Sequence, residues 1–212
     1  MTEKLPYDID ILIDTFALQS QENCEILQKW MQASFAITEM EILIINELHQ
    51  DMAKRGDYLN EEELKIRFVG MMFFLAKIEV ENEIRVFYER SMAAEVNGYP
   101  LAVIADCLVA QPFGYNTPRT PYFFLQEFKK GKGEKNDPEA QMLMAMLIAQ
   151  SKNNDDKPLY GGFLVGTDWR FATLIAKNYC TSEKFDMMKK QDMIQMMFVL
   201  RKLKDLILAM PK

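Results

Sequence analysis

Apolar residues recur at helical spacing through the first part of the chain. Over residues 21–55, Ile26, Leu27 and Trp30, then Ile37, Met40, Leu43, Ile44 and Leu48 fall on one face of a helix, the period expected when that face is buried. Ser34 and Thr38 are helix-capping residues and predict a break inside the stretch. A shorter helix is predicted over 8–17. Gly56, after Lys54 and Arg55, is a stop signal. Asn60 then caps a helix that opens on Glu61, Glu62 and Glu63, acids suited to the positive end of the dipole. It is predicted to run to about residue 78, and its stretch 68–75 is apolar enough to be buried.

From Ile84 the period shortens. A strand over 84–96, the hairpin dipeptide Asn97-Gly98 and a second strand over 99–110 follow in order. Residues 111–120, rich in Pro, Gly and Asn, read as a loop, and 122–129 as a third strand. After a mostly basic loop over 131–137, Asp137 caps a helix over 138–151 with Pro138 in its first turn. That helix carries MLMAMLIA and has no polar face, so it must be buried against a sheet. A second hairpin is predicted from 159–166 and 170–176 around Thr167, Asp168 and Trp169. A last helix begins at Ser182 or Asp186 and reaches about residue 209, with Lys189, Lys190, Arg201, Lys202 and Lys204 as its wet, basic face. The whole reads as a helical N-terminal part, residues 1–60, before an α/β (α+β) core over 61–212 that turns from helix to mixed sheet near residue 80.

Composition narrows the function classes. The 212 residues are 49% hydrophobic and 26% charged, with net charge −6, which fits a globular protein and argues against a generally basic nucleic-acid coat. The longest apolar run, 68–76, falls well short of the roughly 20 residues of a membrane span, and the N-terminus has no apolar signal core. Cys24, Cys107 and Cys180 are widely spaced and read as reduced thiols of a cytoplasmic protein. A lone histidine, His49, does not make a zinc site, and Ser91, Ser151 and Ser182 have no histidine nearby in sequence for a hydrolase triad. Gly131-Lys132-Gly133 lacks the spacing of a phosphate-binding loop. The methionines read as soft core filler or, more sharply, as a helix-binding groove.

The candidate chemistry lies in two apolar strands, each with an acid where an acid is costly: Asp106 and Glu127. Lys129 shares the face of Glu127, since strand side chains alternate with period two. If the strands are neighbours, two carboxylates and an ammonium meet. Such a group needs a metal cation or an internal ion pair to compensate it, and both readings stay open. Glu79, Glu81 and Glu83 read as a solvated joint between helix and strand or as a cation site. Glu89 reads as a cross-strand ion pair or as the edge of the site. The basic loop and the last helix offer lysines either to solvent or to a phosphate backbone.

In this order of elements, over about residues 62–209, the chain resembles the PD-(D/E)XK nuclease-like superfamily, whose restriction-endonuclease-like fold is a mixed sheet flanked by helices. The resemblance rests on Asp106, on Glu127-Phe128-Lys129 and on Gln141 in the following helix; Ala105 stands where the family name has proline. It implies that Asp106, Glu127 and the Phe128 carbonyl hold Mg2+ (or Mn2+), that Lys129 assists the attacking water and that Gln141 supports the site. The implied activity is phosphodiester hydrolysis of DNA or RNA. The alternative is a catalytically inactive nuclease-fold module that binds or regulates, with the N-terminal helices docking a partner protein or a second copy of the chain.

Overall fold

The computed structural model describes residues 5–129 and 137–210, with Gln126 and Lys129 as backbone only. One mixed sheet runs through it. Its strands are β1 (Gln19–Glu22), β2 (Arg85–Val96), β3 (Tyr99–Phe113), β4 (Thr117–Lys129), β5 (Leu159–Val165), β6 (Asp168–Ile175), β7 (Asn178–Thr181) and the short β8 (Phe185–Asp186). The order across the sheet is β1-β7-β6-β5-β4-β3-β2, with β8 beside β6. Strands β2, β3 and β4 form an antiparallel meander, β5 lies parallel to β4, and β6 turns back on β5. Asn97 and Gly98 make the first turn with φ of 50° and 84°, the left-handed pair that a tight hairpin needs.

Helix α6 (Pro138–Asn153) is the crossover from β4 to parallel β5. Asp137 caps it by accepting from the Glu139 N–H, and every residue from Ala140 to Ala149 is buried, as its lack of a polar face requires. It covers one side of the sheet together with α1 (Ile9–Thr15). On the other side lie α2 (Glu25–Met31), α3 (Glu39–Arg55), α4 (Glu61–Leu64), α5 (Gly70–Ala76) and α7 (Lys190–Leu208). Thr38 and Asn60 both form capping boxes, with Glu41 and Glu63. Between α4 and α5 the chain makes a π-helical turn, Lys65–Val69.

The first 60 residues supply more than helices. β1 extends the sheet as the parallel neighbour of β7. Trp30 packs edge-on against Tyr160 and Phe171, and its indole N–H donates to the Val199 carbonyl at 2.8 Å. Gln195 donates to the carbonyls of Met31 and Ala33. These segments share one hydrophobic cluster with the sheet.

Several expectations are corrected. Cys24 and Cys180 form a disulfide, and only Cys107 is free and buried. The pairing follows from β1 lying along β7, which sets Gln21 opposite Cys180, three residues from Cys24. The argument from free thiols to a cytoplasmic setting therefore falls. Residues 111–120 are mostly strand: β3 and β4 stay paired to Phe113 and Thr117. The last helix starts later than predicted, at Lys190. Arg201 is not on its wet face but forms a buried ion pair with Glu41 at 2.8 Å. The acids after α5 form a solvated joint, where Glu79 accepts from the Val86 N–H. No helix among the described residues is long and apolar enough to cross a membrane.

Gly161 and Gly162 let their neighbours close in on β5. A Cβ on Gly162 would stand 2.9 Å from the Trp169 indole nitrogen and 3.1 Å from the Phe124 ring. Both groups are rigid and buried, so Gly162→Ala is expected to cost about 1–3 kcal/mol through overpacking. Urea unfolding of the variant measures it; an unchanged midpoint would show that the rings yield freely.

Candidate functional site

The two acids singled out by the sequence meet. β3 and β4 are antiparallel, with Cys107 opposite Gln126. Just past that pair Asp106 meets Glu127, which hydrogen-bonds its carboxyl. The Phe128 N–H also donates to Asp106 Oδ2, at 2.9 Å. Glu127 is 1% exposed, and it shares the face of Leu125, the side covered by α6. Its charge also helps to hold the Tyr7 hydroxyl above its usual pKa, after burial.

A local irregularity brings Asp106 to this contact. Along β3, Leu101, Val103 and Ala105 belong to the cluster under α6, whereas Cys107 and Val109 belong to the opposite one. The alternation thus changes phase at Asp106. On β2 the same shift falls at Glu89, whose φ is +52°, a left-handed backbone that costs a non-glycine residue on the order of 1–3 kcal/mol. Tyr88 pairs with Cys107 and Arg90 with Ala105, so Glu89 and Asp106 sit between the same two rungs.

A residue not singled out from the sequence completes the group. Lys65 opens the π-helical turn, and its side chain is 8% exposed. Its ammonium lies 3.8 Å from Asp106 Oδ1 and 3.1 Å from Glu62 Oε1, and it contacts Glu89 directly. Burial alone would lower the Lys65 pKa, but the Glu89, Asp106 and Glu62 carboxylates outweigh it and hold the pKa well above the usual lysine value. A signal was present: Lys65 falls in register with Phe68, Val69, Met72 and Ala76, all buried, so it is the one charge on an apolar stripe. Glu89 is accordingly the ion-pair partner of a helix lysine rather than of a cross-strand neighbour.

Electrostatics at Asp106 are finely opposed. Burial raises its pKa, and the Glu89 charge adds to that; the Phe128 N–H, Lys65 and the Glu127 contact pull it down, leaving a net rise. Two carboxyl groups in hydrogen-bond contact hold a shared proton or a cation between them. Gln141, in the first turn of α6, is 9% exposed, and its Oε1 has no hydrogen-bond partner among the described residues. Lys129 ends β4 opposite Val165; its side chain, and the basic loop over 130–136, lie outside the described residues.

The donor set fits a hard cation in kind. Asp106 and Glu127 offer carboxylate oxygens; Gln141 carries its orphaned amide oxygen on α6, and no contact joins it to the pair among the described residues. Among the described residues no cluster of three or more acidic, cysteine or histidine side chains is arranged to hold an ion. A magnesium ion tolerates that, since it is commonly held by one or two carboxylates with waters and phosphate oxygens. Compared with protein-family models and with curated proteins, the chain has no significant match.

Proposed function

We propose that the chain is a Mg2+-dependent phosphodiester hydrolase of the nuclease-like type, acting on DNA or RNA, built on a restriction-endonuclease-like core. The observation that carries this reading is the pair Asp106–Glu127, two carboxyl groups brought from adjacent strands into direct contact in apolar surroundings. The meander followed by a buried crossover helix and a parallel strand supports the fold half of the reading.

In this reading Asp106 and Glu127 would hold the ion, with the Phe128 carbonyl as a further oxygen ligand, and Gln141 would support the site from its helix. When bound, the ion acidifies a water and offsets charge on the scissile phosphate. Lys129 is assigned to the attacking water. Lys65 acts as a positioning residue: it holds Asp106 and Glu89 in place and balances part of their charge. A nuclease-fold module without catalysis is the second reading, favoured by one observation, that Lys65 already supplies Asp106 with a cation.

Mn2+ titration followed by electron paramagnetic resonance, with plasmid and single-strand cleavage assays, separates the two. The hydrolase reading expects binding together with cleavage that stops when chelator is added. Ion binding without cleavage of any substrate selects the second reading, and the lack of both overturns the metal site.

A further inference from the structure

The turn between β3 and β4, residues 114–116, is a basic and aromatic tip that the candidate site does not use. Tyr115 is 92% exposed and Phe113 63%. The Arg119 guanidinium lies over the Phe113 ring at 5.9 Å. Arg85, opposite Ala110, donates to the Tyr115 carbonyl. Arg90 donates to the Tyr88 carbonyl at 2.7 Å and to Asn116 Oδ1 at 2.8 Å. Among the described residues none of these arginines has a carboxylate partner; backbone carbonyls, an amide and a ring hold them instead.

Arg90 links the tip to the strand that pairs with the Asp106 segment. Arg90 stands opposite Ala105, the residue before Asp106, and its guanidinium reaches the turn. The hairpin end is therefore folded back over β2, within one arginine side chain of the rung adjoining Asp106.

We propose that this tip is a binding site for single-stranded nucleic acid, which would feed the Asp106–Glu127 site; the inference rests on the hydrolase reading for its purpose but not for its test. Guanidinium groups without carboxylate partners attract phosphates in a chain whose overall charge is −6. Exposed rings between them offer faces on which unpaired bases stack, and arginine adds cation–π contacts. A duplex hides its base faces inside the helix and has nothing to stack on Tyr115. An acidic protein partner would use the arginines but not require the ring of Tyr115.

The test is fluorescence anisotropy of a labelled oligothymidylate with the full chain in chelator, so that no cleavage intervenes. The single strand is expected to bind more tightly than a duplex of the same length. Tyr115→Ala should weaken binding about tenfold, the loss for one stacked base, while Tyr115→Phe retains it. Arg119→Gln should reduce the salt dependence by about 0.7 in the slope of log affinity, as for one lost phosphate contact on a single strand. Tyr115 is almost wholly exposed, so folding is not at issue. Absent binding, stronger binding to duplex, or unchanged affinity in Tyr115→Ala overturns the proposal. Single-strand binding without cleavage in Mn2+ leaves it standing while the hydrolase reading falls; cleavage with an unaffected Tyr115→Ala does the reverse.

Discussion

Asp106→Asn is expected to lose Mn2+ binding and cleavage by more than about 100-fold, the upper loss usual for residues that only support ligands, while making the metal-free protein more stable. The first half follows from removing one of two candidate carboxylate ligands. The second follows from the balance at this residue. Burial and the Glu89 charge raise the Asp106 pKa by more than Phe128, Lys65 and Glu127 lower it, so at neutral pH the ionised side chain is less favourable folded than unfolded. Asparagine keeps an acceptor for the Phe128 N–H and gains a donor for Glu127, without the charge. The folded protein holds the Asp106 proton to higher pH than the unfolded chain does. Wild-type stability from this group therefore declines as pH rises between the ordinary aspartate value and the raised one. The advantage of the asparagine variant is full above that window and vanishes below it. Denaturant unfolding in chelator across that pH range, beside the binding titration, reads both halves. A variant that cleaves like wild type, or that is less stable at neutral pH, refutes the assignment.

The contact between Asp106 and Glu127 was legible because each acid interrupts an apolar run and Asn97-Gly98 sets the hairpin. What the chain does not announce is which acids the nearby cation meets. Lys65 is marked as a charge on an apolar stripe, but nothing local brings it to Glu89 and Asp106. The phase shift at Glu89 was equally silent, since a left-handed residue inside a strand is imposed by tertiary packing rather than by local preference. β1 was missed because all four of its residues are exposed, so it shows no alternation, and its partner lies more than 150 residues away in sequence, as the disulfide separation of 156 shows. The helices with capping residues, by contrast, begin where Thr38, Asn60 and Asp137 place them. Local chemistry was readable; contacts distant in sequence were readable only where a costly residue marked them.

Arg201 is the clearest case of the second kind, and its removal is expected to destabilise the protein by about 3 kcal/mol, the scale of a broken buried ion pair. From the sequence it belongs with Lys202 and Lys204 on a solvated face. In the structure its side chain is 13% exposed and that of Glu41 only 9%. The same guanidinium donates to the Leu75 carbonyl at 3.0 Å, near the end of α5, and lies over the Phe35 ring. One side chain thus joins α7 to both α3 and α5. Burial pushes the Glu41 carboxyl up, but the Thr38 N–H and hydroxyl and the Arg201 charge outweigh it and hold its pKa below the usual glutamate range. In Arg201→Met, Glu41 keeps its capping contacts but loses the guanidinium beside it while remaining buried, and the Leu75 carbonyl loses a donor. Adding Glu41→Gln removes the stranded charge and keeps the acceptor for the Thr38 N–H, so the double variant should recover part of the loss. Because both residues lie away from Asp106, Mn2+ affinity at temperatures where the variants stay folded should not change. Urea unfolding of the single and double variants measures the coupling; strictly additive losses would mean that the pair contributes no interaction of its own.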